Sequence, residues 1–427
     1  MMRAGAGETK KSPAAQVPEP GWRVLRWPGL ARPVVLEEGT GLEQELAAVL
    51  RGWSPAAETQ AHPREPAIAC VVRDGHGRGA EGRERLALHS VHRPVPYRGL
   101  ERASAICALV ADLGQAWFGE RPGTLALHCG AFRIGGRLVA VSGPPRAGKS
   151  TLIARLTAEP GIEVFCDDIL PVLEDGRAVA LGIAPRLRLP LPDTASVAFR
   201  AHVAATFGPR DRRYGFVCAG SIAPHGTHAP LTALVRLERC AAGPARLFAM
   251  GRDAALTEVL SRNMAEQETP GGAFARASGM LRGVRTLRLV YADLEDAVAL
   301  LGRAFGTARG LGACLTAAGA EPGPDRAAPP AAREADFDPD RKVVRTPGVA
   351  MRRRGGSAFL WHPGGAAIWQ LNPVAHAVWA MLDRPDSARG IATALADVFA
   401  GVPERQLCGD VARLIGGLVS AGLARPV

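Results

Sequence analysis

The sequence predicts an α/β protein followed by a smaller α+β region with a winged-helix-like order of elements. Three observations carry this expectation. Between residues 121 and 306, short apolar runs of strand character alternate with segments whose apolar residues repeat at helical spacing. One strand-to-helix junction in that region, Gly143–Thr151, is rich in glycine and proline. Beyond an Ala-, Pro-, Gly- and Asp-rich stretch at 307–341, three short strand patterns precede three amphipathic helices.

A chain of 427 residues is expected to hold two or three domains, and 47% hydrophobic content is enough to give each a core. The 52 basic residues outnumber the 41 acidic ones, but arginine is spread along the chain rather than gathered in blocks, which reads as solvated surface. Only Lys10, Lys11, Lys149 and Lys342 are lysines. Cysteines at 70, 107, 129, 166, 218, 240, 314 and 408 show neither CxxC nor framework spacing, as expected for reduced thiols. Residues 1–20 read as a disordered tail without the apolar stretch of a signal peptide. No apolar run is long enough to span a bilayer, so the expected location is cytoplasmic, without a membrane partner.

Taken in order, 21–120 reads as a small α/β unit: VVLEE and AIACVVRD as strands, GLEQELAAVLRGW and ASAICALVADLGQAWF as helices. In 121–306, TLALHCGAFRIGGRLVAVSG reads as two strands joined at Gly-Gly, the second running into the glycine loop. TLIARLTAE follows as a helix and IEVFCDD as a strand ending in two acids. ILPVLEDGRAVAL is a hairpin turning at Glu174-Asp175-Gly176, and APRLRLPLP is extended and broken by proline. LTALVRLER is a strand; ALTEVLSRNM and DLEDAVALLGRAF are helices. Residues 307–341 read as a linker. In 342–427, VVRTPGVAMRR, SAFLWHP and AAIWQLN are strands, and PVAHAVWAML, ARGIATALADVFA and RQLCGDVARLIGGLVSAGL are helices.

The loop Gly143-Pro144-Pro145-Arg146-Ala147-Gly148-Lys149-Ser150, followed by Thr151, matches G-x-x-x-x-G-K-[ST] between a strand and a helix. Glycines let successive backbone N–H groups turn toward a phosphate, and the helix starting near Lys149 adds its positive dipole end. Lys149 places a charge on the outer phosphates and the Ser150 hydroxyl ligates Mg²⁺, so ATP with Mg²⁺ is the expected cofactor. A metal needs an acid, and Asp167-Asp168 stands at the end of an apolar strand. A doublet offers one carboxylate for the metal and one to accept a proton from an attacking hydroxyl. His225 and His228, near Cys218, lack zinc-site spacing and read as loop residues.

Together LHCGAF, GPPRAGKS and FCDD resemble the HPr kinase/phosphorylase superfamily. The resemblance implies a P-loop kinase fold that phosphorylates a protein serine with metal assistance, one Asp serving as general base. It places Lys149 on phosphate, Ser150 on Mg²⁺, and His128, on the strand before the loop, in support of the acid and phosphate site. The Asp pair divides base and metal roles in an order the resemblance does not fix; Asp167 is the working assignment for base and Asp168 for metal. Thr151 stands where that family usually has Glu, and Cys129 where it has Gly. The likeness is closer to the divergent HPr-kinase-like proteins of peptide-modification gene clusters, in which APRLRLPLP has a counterpart; it implies that Arg186 or Arg188 contacts phosphate or substrate, the other reading being a surface strand with solvated arginines.

The C-terminal region, on LNPVAHAVWAMLD and LIGGLVSAGL, resembles the PqqD family of peptide chaperones, also known as RiPP recognition elements. The resemblance implies a ribosomal precursor (leader) peptide bound by strand addition along about Ala366–Leu371, against the helix at about Leu407–Leu418. Trp361, Trp369 and Trp379 supply packing, with at least two of the three structural. Met351–Arg354 reads as a turn flank, either solvated or facing an acidic peptide. The helices are apolar and acid-bearing rather than base-reading, which argues against nucleic acid. The family core forms oligomers. Two readings follow: an ATP-dependent peptide serine kinase with its own substrate-capture domain, or a nucleotide-gated peptide chaperone without phosphotransfer. The Asp doublet favours the first.

Overall fold

Apolar, β-branched runs in the first hundred residues assemble into a six-stranded sheet: β1 (Trp22–Arg26), β2 (Val34–Glu37), β3 (Ala56–Gln60), β4 (Ala69–Arg73), β5 (Leu86–Ser90) and β6 (Tyr97–Leu100), in the order β3-β1-β2-β4-β5-β6. Helices α1 (Leu42–Val49) and α2 (Arg102–Gly119) accompany it. In α2 the residues Ile106, Leu109, Val110, Leu113 and Trp117 fall on one stripe and are buried, as an amphipathic helix requires. That core continues into the next part of the chain through Leu181, Ala184 and Phe216, and Trp53 stacks on His225 with ring centroids 4.2 Å apart. This computed structural model describes residues 21–61, 65–74, 85–264, 269–307, 309–317, 337–365 and 367–427; the expected tail at 1–20, most of the 307–341 linker and Ala366 lie outside the described residues.

A nine-stranded sheet follows. It is built from β7 (Leu125–His128), β8 (Gly130–Ile134), β9 (Arg137–Ser142), β10 (Ile162–Cys166), β11 (Ile169–Val172), β12 (Arg177–Val179), and three later strands. A small side sheet, β13 (Arg186–Arg188), β14 (Phe207–Arg210) and β15 (Tyr214–Val217), branches off before them. The later strands are β16 (His228–Arg239), β17 (Arg246–Ala249) and β18 (Arg285–Tyr291). The twelve-residue β16 is the spine: its first residues pair with β12, its later ones run parallel to β9 and β18. Helices α3 (Lys149–Leu156), α4 (Val197–Thr206), α5 (Arg252–Arg262), α6 (Pro270–Met280), α7 (Leu294–Gly306) and α8 (Gly310–Cys314) complete this part. α3 and α7 share one core with β9, β16 and β18, while α5 and α6 share another with β7 and β11.

Two expected strands divide. TLALHCGAFRI is not one strand but two, β7 and β8, because Cys129 N–H turns to bond Asp168 O (3.1 Å) and sends β7 to β11 while β8 pairs with β9 and β10. VVRTPGVAMRR also divides, at Pro347-Gly348, into β19 (Val343–Arg345) and β20 (Ala350–Arg354). β20, β21 (Ser357–Trp361) and β22 (Trp369–Leu371) form a three-stranded sheet followed by α9 (Pro373–Met381), α10 (Ala388–Leu395), α11 (Glu404–Ser420) and β23 (Ala424–Pro426), which returns to pair with β19.

Every residue of β21 is buried, so its two faces must both be covered. Ala358 and Leu360 enter a core with Trp379, Ile391 and Ile415. Phe359 and Trp361 enter the other, where they meet Phe274 of α6 at 5.5 and 5.1 Å between centroids. Trp369 is exposed and Trp379 buried.

Candidate active site

The glycine loop leaves the end of β9 and delivers the chain into α3. Three of its residues take positive φ: Gly143 (147°), Arg146 (68°) and Gly148 (91°). A side chain at Gly143 would press on Leu237 O at 2.9 Å, and one at Gly148 would collide with the Tyr291 hydroxyl. That hydroxyl donates to Ala147 O (2.7 Å), fixing the loop from below, and Arg239 lies over the Tyr291 ring at 5.0 Å. Gly148 is the N-cap of α3 and offers no side-chain cap, so the first N–H groups of the helix are available to an anion. The Lys149 ammonium donates to Gly143 O (3.0 Å) and Pro144 O (3.4 Å). Burial and then Arg262 of α5 hold its pKa below the usual lysine value. These features fit a phosphate-bearing nucleotide.

Asp167 and Asp168 sit between β10 and β11, just after a bulge between Val164 and Cys166 that shifts the register of β10 on β8, where Cys166 makes the last pair with Ala131. Their surroundings differ. Asp167 is buried; its Oδ2 accepts the Arg186 N–H at 3.0 Å, while Oδ1 has no hydrogen-bond partner. Burial pushes its pKa up to about 6, against a downward pull from Arg186 N–H and the nearby Ser150 hydroxyl. Asp168 is exposed and meets His128 Nδ1 at 3.0 Å from Oδ1. That bond, opposed by desolvation, holds its pKa below the usual aspartate value. Thus Ser150 stands beside Asp167 and His128 beside Asp168.

A buried carboxylate oxygen without a partner, next to a hydroxyl, is a hard-oxygen donor set of the kind Mg²⁺ takes. Mg²⁺ commonly keeps waters and phosphate oxygens as its other ligands. The residues present therefore fit the group.

Of the neighbours, Glu258 carries no signal in the sequence, while Arg186, Arg188 and His225 are already singled out there. Arg186 puts its backbone on Asp167 and its guanidinium on Cys107 Sγ, 4.9 Å over the Tyr214 ring. Glu258, buried on α5, bonds Arg262 (3.0 Å) and approaches Arg236 (3.6 Å), so α5 brings charge to the lysine. Cys166 donates to Cys129 O (3.3 Å), and burial raises its thiol pKa well above the ordinary value, leaving it a packing group. Arg188 is exposed, and His225 stacks on Trp53. On the C-terminal sheet, β22 pairs with β21 alone among the described strands, and Gln370 accepts from Thr257 of α5 at 2.7 Å.

The comparisons divide along the chain. Residues 358–424 match the family model described as Coenzyme PQQ synthesis protein D (PqqD). This PqqD-like region takes in nearly all of β21, then β22 and α9 to α11, and ends on the first residue of β23. No curated protein matches the chain. Among solved structures, the Hpr(Ser) kinase/phosphatase from Coxiella burnetii matches with 12% identity over 41% of this chain and 90% of that chain, at a TM-score of 0.21. At that score the residues of the site alone carry its reading. Among the described residues no helix is long and apolar enough to cross a membrane.

Proposed function

We propose that the chain is a Mg²⁺-ATP-dependent kinase that phosphorylates a serine hydroxyl on a peptide captured by its PqqD-like region. The observation that supports this best is the division of labour between two adjacent carboxylates. Neighbouring acids whose surroundings push them apart are how one site holds both a metal and a proton acceptor. Their surroundings support a reading with Asp167, buried beside Ser150, on the metal side and Asp168, exposed and braced by His128, toward the acceptor. This exchanges the working assignment made from the resemblance.

When bound, Mg²⁺ neutralises charge on the transferring phosphates. The α3 N-terminus and Lys149 orient those phosphates. Asp168 orients the acceptor hydroxyl and takes its proton, with His128 Nδ1–H holding the carboxylate still and ionised. Because phosphoryl transfer passes through a loose transition state, positioning and charge supply most of the rate and a strong base is not needed. β22, one of the two edge strands of its sheet, offers backbone groups for an added peptide strand.

The test is incubation with Mg²⁺-ATP and a precursor peptide encoded beside the gene, read by mass spectrometry. A gain of one phosphate, lost in Lys149→Ala and Asp168→Asn, is the expected result. Tight peptide binding with no phosphate transferred from ATP, GTP or pyrophosphate overturns it and leaves a nucleotide-gated chaperone.

A further inference from the structure

Beside the aspartate pair lies a cavity of about 420 Å³. None of the loop residues Gly143–Thr151 lines it, whereas Asp167 and Asp168 both do. The pair therefore adjoins both Ser150 and Lys149 of the glycine loop and this chamber. Its volume is in the range of ligand sites.

Most of the chamber's lining is apolar. Val110, Gly114, Phe165, Leu181 and Phe216 form a buried floor. Asp168 and Arg213 stand exposed at the rim, and the Arg186 guanidinium crosses the wall between Cys107 and Tyr214. One wall is α2, which precedes the loop by some thirty residues and belongs to the N-terminal unit. Arg186 and Arg213 are its cations, and the Arg186 guanidinium is held by Cys107 and Tyr214. A lining that is otherwise mostly apolar suits an apolar body better than a phosphate or a nucleotide.

We infer that this cavity receives a large apolar side chain next to the acceptor hydroxyl of the peptide, so that the hydroxyl is presented at Asp168. The inference rests on the phosphotransfer reading above and names its acceptor class. A serine side chain alone leaves the floor wet; an apolar neighbour drives water from it. Burial of one such side chain corresponds to roughly ten- to a hundred-fold in affinity.

The experiment uses the full chain and short peptides of common length in which serine is flanked by glycine, leucine or phenylalanine. Binding is followed by calorimetry, and phosphate transfer from Mg²⁺-ATP is followed separately. The variant is Gly114→Leu, which grows a side chain from α2 into the floor; a Cβ there meets nothing nearer than Ile169 Cδ1 at 4.0 Å. Ala108→Phe, on the same helix and the same cavity wall, is the second variant should the first not fold. Leucine and phenylalanine peptides are expected to bind roughly ten- to a hundred-fold more tightly than the glycine peptide. The variant is expected to erase that difference and leave nucleotide binding unchanged. Equal binding of the three peptides, or a preference that survives the filled floor, overturns the inference. Preference without phosphate transfer supports the cavity and sinks the kinase reading; transfer without preference does the reverse. 2-Phenylethanol has the same chemistry without a backbone, and its phosphorylation at the rate of the phenylalanine peptide overturns a peptide as the source.

Discussion

His128 Nδ1 and Asp168 Oδ1 stand 3.0 Å apart at the end of the β7–β11 pairing, joining a strand before the loop to the acid pair after it. Because the bond favours the ionised carboxylate, Asp168 keeps its charge at more acid pH than an ordinary aspartate. In His128→Ala that pKa rises, so the acid limb of the phosphate-transfer profile moves to higher pH. The maximal rate falls by roughly ten- to a hundred-fold as the carboxylate loses its brace. A pH–rate profile of the variant checks both; an unmoved acid limb would sink the link between the two residues.

Asp167 and Ser150 predict a magnesium phenotype. Asp167→Asn keeps the size of the side chain and removes the charge beside the hydroxyl. The Mg²⁺ concentration for half-maximal nucleotide binding is expected to rise by about tenfold or more, with Ser150→Ala acting in the same direction and less strongly. Nucleotide titrations with and without Mg²⁺ decide it. Equal Mg²⁺ dependence in wild type and variant places the ion elsewhere.

The Tyr291 hydroxyl has two neighbours in the loop: it donates to Ala147 O and occupies the space a side chain at Gly148 would need. Tyr291→Phe removes one hydrogen bond, about 1 kcal/mol, and weakens nucleotide binding by roughly fivefold. Gly148→Ala costs more, through both the collision and the positive φ of 91°. In the double variant the two losses are less than additive, since Phe makes room for the methyl group. Calorimetry on the four proteins of the cycle measures the coupling.

Asp112 lies buried in α2 with Oδ2 unpartnered, and burial raises its pKa despite the Ser90 hydroxyl and the charges of His92 and Arg93. A carboxylate with a folded pKa above its unfolded one lowers stability once pH passes the unfolded value, and the loss grows until pH passes the folded one. Asp112→Asn is therefore expected to melt above wild type at pH 7, the gap closing toward pH 4. Thermal melts across that window test the sign, and a gap that widens toward acid contradicts it.

The parts of the site that lie close together in the chain were legible in it. GPPRAGKS carries its own geometry in its glycines, and the acids of FCDD stand where an apolar strand stops. The break at Cys129 was not legible, because LALHCGAF is apolar on both sides and such a run hides where one strand ends and the next begins. α4 escaped notice for the opposite reason: only Phe199 and Val203 are buried in it, too thin a stripe to show as helical period. Arg186 meets Asp167 through a backbone amide, which no side-chain pattern announces. The cavity joins α2 to β13 and β15, and nothing local in either segment speaks of the other.

β21 has no outside. One row of its side chains completes the core around Trp379, and the other completes the core around Phe274. Removing Phe359 or Trp361 is therefore expected to cost about 3–5 kcal/mol to the part of the chain that carries the glycine loop, although neither residue belongs to it in sequence. A strand with two interiors ties its owners together: the two cores are expected to melt as one, and cutting the chain before β21 is expected to strip a wall from the core that α5 and α6 share. The junction is less a leash between independent machines than a party wall.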